Sequence, residues 1–318
     1  MSGAQTIRVG TRASTLARTQ TLWVVEQLRH LGHEVTVETI ATVGDARGDV
    51  PISRIGGDGV FVRELEAALL DGRIDAAVHS LKDLPTAETP GLSLACVPPR
   101  ATPFDVIVGR EHGSIDALPK GAVVGTSSIR RMAQVMFLRQ DLRIVGIRGN
   151  VDTRLKKLDA GDYDCLVLAG AGLERLGLAG RITEVLRPDA FWPAIAQGAL
   201  VVQVRADDTA IREAIMPLDD PDTHEAVVAE RSCLAALAGG CLAPVGGWAR
   251  RTAEGRLELG ACVLEVAGHH VHRVTSAAAQ TSGNETAETL GRTVAQNLLE
   301  QGGDALLQRM RAAAQRNG

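Results

Sequence analysis

The amino-acid sequence predicts an α/β protein of two similar lobes followed by a small α+β domain, and three observations carry that expectation. A strand ending in Gly-Thr, small hydroxyl residues and a helix occur at Ile7 to His30 and again at Val123 to Arg139. A short apolar strand entered through an acid, Asp75-Ala76-Ala77-Val78, is echoed by Asp164-Cys165-Leu166-Val167. After Pro221 the pattern changes to a helix, three strand-like runs and a long final helix. Two stretches with the same βαβ logic read as two lobes facing each other.

In the first lobe, Ile7 to Thr11 reads as a strand. Arg12-Ala13-Ser14 leads into a helix from Thr15 to His30, with Leu16, Thr19, Trp23 and Leu28 near one face. Val35 to Ile40 is a second strand. Asp45 to Gly59, with Arg47, Arg54 and the run Gly56-Gly57-Asp58-Gly59, is polar and glycine-rich. It reads either as a loop over a site or as a plain surface connection. Phe61 to Leu70 is an amphipathic helix closed by Asp71-Gly72. Ile74 to His79 is a buried parallel-type strand that runs into Ser80-Leu81-Lys82-Asp83-Leu84-Pro85. Open α/β sheets bind ligands beyond the carboxyl ends of such strands. That makes Lys82 and Asp83 better site candidates than most charges in the chain; the competing reading is a turn Asp before Pro. Pro98 to Pro103 looks like a crossing between lobes.

The second lobe opens with Val123-Val124-Gly125, three possible caps at Thr126-Ser127-Ser128, and a helix from Ile129 to Arg139. Leu142 to Ile147 reads as a strand, Asn150 as a cap and Val151 to Leu158 as a helix. Arg130 and Arg131 fall in the first turn of one helix, Arg148 in the loop, and Arg154 near the start of the next. A helix N-terminus already carries partial positive charge, so a cation there costs roughly 0.3–1 kcal/mol. A bound anion reverses the sign, because N–H groups, hydroxyls and guanidiniums can converge on it. Four such arginines therefore point to a ligand with several carboxylates or phosphates. Tyr163 to Ala169 is another buried strand, followed by Gly170-Ala171-Gly172-Leu173, with Arg175 opening the next helix. Pro188 to Pro193 carries the chain out, and Leu200 to Arg205, after Gln197-Gly198-Ala199, reads as a strand returning to the first lobe. A ligand cleft between two lobes is the usual outcome of such a plan.

In the last part, Thr223 to Leu237 is a helix ended by Gly239-Gly240, with Cys241 just past it. Val245 to Arg250, Leu257 to Glu265 and Val271 to Ala278 read as strands, and Glu285 to Ala313 as one long helix. His269, His270 and His272 read as solvated residues of a hairpin, with no metal. Cys96, Cys165, Cys233 and Cys262 lie in apolar runs and read as small buried residues. Cys241 lies in a glycine-rich loop, which makes it the candidate reactive thiol. No base for a cysteine protease can be placed beside it, so covalent attachment of a group is the sharper reading.

The 318-residue, 33.5 kDa chain has 45% hydrophobic and 23% charged residues, a globular composition. Its net charge of −4 and 3% aromatic content argue against a nucleic-acid surface. No apolar run reaches the ~18 residues that span a membrane. Met1 to Ile7 lacks the apolar segment of a signal peptide. The odd number of cysteines suggests no disulfide framework and a reducing, cytoplasmic setting.

Several motifs occur together and in order: Gly10-Thr11-Arg12-Ala13-Ser14, His79-Ser80-Leu81-Lys82-Asp83-Leu84-Pro85, Gly125-Thr126-Ser127-Ser128-Ile129-Arg130-Arg131, Arg148-Gly149-Asn150, Ala171-Gly172-Leu173-Glu174-Arg175-Leu176, Gln197-Gly198-Ala199 and Gly239-Gly240-Cys241. With them the chain resembles the hydroxymethylbilane synthase (porphobilinogen deaminase) family over essentially its whole length. The resemblance implies two lobes like those of periplasmic binding proteins, with mixed sheets, plus a small C-terminal α+β domain. Their bounds would be 1–99 with 199–217, 103–193, and 221–318.

The resemblance also implies a dipyrromethane cofactor joined to Cys241 by a thioether. A transferase of this kind condenses four porphobilinogen molecules onto that primer, releases four ammonia molecules, and frees the linear tetrapyrrole with water. Asp83 would be the catalytic carboxylate. Lys82, Ser80, Thr126, Ser127, Ser128, Arg130 and Arg131 would hold the cofactor. Arg12, Ser14, Arg148, Arg154 and Arg175 would bind substrate and growing chain, and Asp45, Arg54 and Phe61 would belong to a lid loop. A monomer without membrane or nucleic-acid partners is implied. The chain departs from the family pattern at Asp58 (usually Lys), Val43 (Arg), Thr15 (Pro) and Val201-Val202-Gln203 (Gly-Ile-Glu). The first two put lid behaviour in question. The competing class is a non-catalytic two-lobed anion- or dicarboxylate-binding protein, which would leave Cys241, the third domain and Lys82-Asp83 without a purpose.

Overall fold

The computed structural model describes residues 6–42, 62–188, 190–237, 244–267, 270–280 and 286–316. Expectations for Val43, Asp45, Arg54, Asp58, Phe61, Cys241 and His269 lie outside these residues. In chain order the first elements are β1 (Ile7–Arg12), α1 (Thr15–His30), β2 (Val35–Ile40), α2 (Arg63–Leu70), β3 (Ala76–Ser80) and β4 (Leu92–Cys96). The chain then forms β5 (Asp105–Gly109), β6 (Val123–Gly125), α3 (Ile129–Leu138), β7 (Arg143–Val145), α4 (Val151–Asp159), β8 (Cys165–Ala169), α5 (Gly170–Arg175) and β9 (Glu184–Leu186). It returns through β10 (Leu200–Arg205) and α6 (Thr209–Ile215) to α7 (Pro221–Ala236). It ends with β11 (Val245–Arg251), β12 (Leu257–Ala267), β13 (His270–Gln280), α8 (Ala287–Leu298) and α9 (Asp304–Arg316).

These elements build three sheets, ordered β2-β1-β3-β10-β4, β7-β6-β8-β5-β9 and β11-β12-β13. In the first, β1 runs parallel to β2 and β3, while β10 is antiparallel to β3 and β4. The second repeats that plan, with β6 parallel to β7 and β8 and β5 antiparallel to β8 and β9. In both, the reversed strand is the one next to a crossing: β10 returns the chain and β5 receives it. The third sheet is an antiparallel meander. The α/β class, its two mixed-sheet lobes and its smaller α+β part are therefore as the sequence predicts. By compactness the chain forms two units, Met1–Ala101 with Gly198–His224, and Thr102–Gln197 with Glu225–Gly318.

Burial explains the choice of elements. In β3, Ala76 to His79 are all buried, as a central strand covered on both faces requires. One face packs Val24, Val25 and Leu28 of α1 with Val9, Val78 and Val202, and the other packs Leu65 and Leu69 of α2 with Ile74 and Ala77. Full burial of each such Leu or Val contributes roughly 1.5–3 kcal/mol. The second lobe has two corresponding clusters, around Ile107, Val124 and Val135 and around Val108, Leu158 and Leu166. The third sheet joins it through a cluster of Ala133, Trp192, Cys262 and Leu264.

Several elements differ from the expectation. The buried face of α1 is Gln20, Thr21, Val24, Val25 and Leu28, while Trp23 is 41% exposed. Polar Gln20 and Thr21 go inside because they find partners there: Gln20 Nε2 donates to Ser80 Oγ at 3.0 Å, and Thr21 Oγ1 to Thr11 Oγ1 at 2.8 Å. Arg175 ends a short helix rather than opening one. β7 is only three residues long. Tyr163 and Ser127 donate to the carbonyls of Gly146 and Ile147, which draws the chain out of the ladder. Asn150 stands at the cap of α4 without a side-chain cap bond. The terminal helix is two, broken where Gly302 takes φ 102°. Cys96, Cys165, Cys233 and Cys262 are buried as expected, and burial pushes the first three up to about 12 and Cys262 to about 11.

Candidate active site

In the first unit, the central strand β3 hands directly to a single 3-10 turn, Leu81–Asp83. The turn is pinned from both sides. Leu81 N donates to Ala199 O at 3.0 Å, Leu84 N donates to Leu81 O at 3.2 Å, and the two leucine side chains are buried. Lys82 and Asp83 are left half-buried at the carboxyl end of the sheet. Ser80, the last residue of β3, pairs with the Gln20 amide, to which its Oγ donates in turn at 3.1 Å. Arg12 ends β1, and Ser14 caps α1 by accepting from Ala17 N at 3.3 Å. Burial pushes the His79 imidazole down to about 4, and the charge of Arg12 acts in the same direction. His79 is therefore neutral near pH 7. The structure brings Arg12, Ser14, Ser80, Lys82 and Asp83 to one end of one sheet.

In the second unit, the start of α3 is capped by its own hydroxyls. Ser128 Oγ accepts from Arg131 N at 3.4 Å, and Thr126 Oγ1 accepts from Ser128 N at 3.2 Å. Ser127 Oγ donates to Ile147 O at 2.8 Å, fixing one helix start to the loop before the other. Arg130 and Arg131 turn inward and are 6% and 8% exposed. They converge on Asp105, the first residue of β5. Arg130 Nη1 donates to Oδ2 at 2.7 Å and to Trp192 O at 2.5 Å; Arg131 Nε donates to Oδ1 at 2.8 Å. Gln197 completes the group, donating to Asp105 Oδ1 at 3.1 Å and Pro103 O at 2.8 Å and accepting from Arg131 Nη2 at 3.4 Å. Burial acts to raise the Asp105 carboxyl, but the two guanidiniums outweigh it and hold it at about 2.

Arg154 donates through Nε to Gly149 O at 2.7 Å. Burial pushes its guanidinium down to about 10, and the like charges of Arg131 and Arg148 push the same way. Burial likewise lowers Arg175 to about 10. Both stay protonated near pH 7. A molecule carrying several carboxylates would oppose this shared positive charge, adding to the one carboxylate that Asp105 already places on Arg131. The residues present therefore fit a dipyrromethane, whose two pyrroles each bear an acetate and a propionate.

Sequence reasoning found the four arginines but missed Asp105 and Trp192, which hold two of them, and Gln134, which bonds both the backbone N and O of Trp192. The only local signal for Asp105 was an acid opening an apolar run after Pro103-Phe104. Among the described residues no group of three or more His, Cys, Asp or Glu could hold a metal ion, and no helix is long and apolar enough to cross a membrane.

Residues 7–213 match the family described as porphobilinogen deaminase, dipyrromethane cofactor binding domain, and residues 224–300 match the porphobilinogen deaminase C-terminal domain. A porphobilinogen deaminase of Syntrophotalea carbinolica is 47% identical over 303 residues, covering 95% of each chain. That of a Geobacillus species is 44% identical over 308 residues, covering 96% of this chain and 97% of its own. A methionine-binding lipoprotein structure from Bacillus subtilis overlays at TM-score 0.43 with 15% identity over 68% of this chain and 91% of its own, too weak a likeness to argue from. The chain belongs to the porphobilinogen deaminase family, the transferases of tetrapyrrole biosynthesis that work on a dipyrromethane cofactor.

Proposed function

We propose that the hydroxymethylbilane synthase reaction of this chain divides between a catalytic carboxylate, Asp83, and a set of arginines that hold carboxylated pyrroles. The observation that carries the reading is the pinned turn Leu81–Asp83 at the carboxyl end of β3, which presents a half-buried acid from a rigid strand end. When the aminomethyl C–N bond of porphobilinogen breaks, the pair of electrons leaves with ammonia and the pyrrole is left cationic. A fixed carboxylate opposes that charge without reorganising, the kind of term that dominates many enzymic rate accelerations. After ring attack, the same carboxylate stabilises the cation that must lose a ring proton.

When bound, the dipyrromethane supplies the primer that is extended. Lys82, Ser80, Thr126, Ser127, Ser128, Arg130 and Arg131 hold its carboxylates. Arg12, Ser14, Arg148, Arg154 and Arg175 take those of the substrate and growing chain. Arg130 makes its hydrogen bonds through Nη1, which leaves Nε and Nη2 for a ligand. Asp45, Arg54 and Phe61 belong to a lid loop. Cys241 is the attachment point, and the four other thiols are buried with raised pKa values. Three domains follow the three sheets, at 1–99 with 199–217, 103–193 and 221–318. The protein works as a cytoplasmic monomer without nucleic-acid partners.

Intact-mass spectrometry of denatured protein tests the attachment. The expected result is an excess of two linked pyrrole units that survives thiol reductant. It should vanish in Cys241→Ala and persist in Cys233→Ala and Cys165→Ala. The bare chain mass, from a host that makes porphobilinogen, would overturn the reading.

A further inference from the structure

The arginine pair is held by a segment of chain, 192–197, that leaves the second unit for β10. Trp192 O accepts from Arg130 Nη1 and from Gln134 Nε2 at 2.9 Å, and Trp192 N donates to Gln134 Oε1 at 2.6 Å. Its ring lies so close to Gly260 that a Cβ there would stand 2.3 Å from Cη2. Pro193 O accepts from Gly247 N at 3.0 Å. At the other end of the segment, Gln197 bonds Asp105 and Arg131. Between these anchors stands Ala196, the one non-glycine residue with a left-handed φ, 58°, among the described residues. A side chain disfavours that conformation, so the surroundings must hold it there.

Glu230, in the middle of α7, does so. It is fully buried, and its Oε2 accepts from Ala196 N at 2.6 Å while Oε1 accepts from Ala249 N at 2.9 Å. A buried carboxylate placed on two backbone N–H groups forms strong, directional bonds. Released from Glu230, Ala196 would relax toward negative φ. Gln197 would then swing away from Asp105 and Arg131.

We infer that Glu230 is a positioning residue for cofactor capture: by holding Ala196 in its left-handed turn it sets Gln197, Asp105 and the Arg130–Arg131 pair. The inference rests on the role proposed above for that pair. Glu230 is fully buried within its unit. It acts through backbone and amide bonds, from the helix whose last residue, Ala236, precedes Cys241 by five positions of sequence.

The test follows covalent loading of Cys241 when cofactor-free protein is incubated with porphobilinogen, read by intact mass. Glu230→Gln keeps the shape, but its amide can accept only one of the two N–H groups. Loading should slow about tenfold, the effect of losing one hydrogen bond to a charged group. Ala196→Gly in the same chain should recover much of the loss, because glycine adopts a positive φ without strain. Ile215→Val, a core change in the first unit, supplies a comparison destabilised elsewhere and should load normally.

Unchanged loading in Glu230→Gln overturns the inference, as does a loss that Ala196→Gly does not repair. Should Glu230→Gln not fold, Glu230→Asp, too short to span both N–H groups, is read the same way. Failure of both to fold would assign Glu230 to stability alone and also overturn it. Arg131→Leu, measured in parallel, separates the two readings. If it loads fully, the role of the arginine pair falls. If it fails to load while Glu230→Gln loads normally, only the role of Glu230 falls.

Discussion

The two lobes are built on one plan and place their acids differently. Each has a five-stranded sheet of the same order, a serine cap at the start of its first helix, and a buried glutamine six residues into it, Gln20 and Gln134. The residue opposite the last position of the central strand is where they part. In the first lobe Leu200 lies across from Ser80; in the second Asp105 lies across from Ala169. The second and third positions of the helix change to match, Leu16 and Ala17 in one lobe and Arg130 and Arg131 in the other. A buried arginine is tolerated only when paired, so the two guanidiniums and the acid come as a set. The first lobe keeps its acid, Asp83, outside on a turn. One frame thus carries a half-buried acid on a turn in one lobe and a buried acid paired with two arginines in the other.

Giving the second lobe the first lobe's residue should break the comparison most severely. Asp105→Leu leaves two buried guanidiniums without their carboxylate and should cost about 3–5 kcal/mol, measured by urea unfolding of the cofactor-free protein. A loss below about 1 kcal/mol would mean that the set is not needed for the fold. The same acid predicts a pH dependence. Its folded pKa, about 2, is below the ordinary value near 4, so its stabilisation is present above pH 4 and is lost as pH falls toward 2. Asp105→Asn should flatten that part of the acid unfolding curve.

The functional counterpart in the first lobe is Asp83→Asn, which keeps shape and removes charge. Porphobilinogen consumption should fall about 10²–10³-fold, with stability little changed. Near-normal turnover would remove Asp83 from its role. Within the second lobe, Arg131→Leu should yield largely cofactor-free protein, while Arg154→Leu should keep its cofactor and stall during elongation. Equal cofactor content in both would erase the distinction between primer and chain sites. The smallest effect should come from the element the lobes share. Ser14→Ala and Ser128→Ala each remove one N-cap bond and should cost about 1 kcal/mol in thermal unfolding. A much larger loss at Ser128 would show that the cap also orders Arg131.

Local order was legible in the residues. α1 over Thr15–His30, β2 over Val35–Ile40 and β10 over Leu200–Arg205 have the expected bounds, and the Ser14 and Ser128 caps stand where hydroxyls precede apolar periodicity. These features rest on bonds between residues a few positions apart, so a short window contains their cause. The motifs that mark the family were equally visible, because each is a short run at a strand end or helix start. Tertiary structure alone decided that Gln20 and Thr21 face inward, since their partners Ser80 and Thr11 lie 60 and 10 residues away. It alone joined Arg130 and Arg131 to Asp105, some 25 residues earlier, and Ala196 to Glu230, 34 residues later. A charge at a helix start reads alike in sequence whether it meets solvent, a ligand or a buried acid. Which partner it meets is set by the packing of distant strands, where desolvation leaves each buried charge dependent on a neighbour that local pattern does not name.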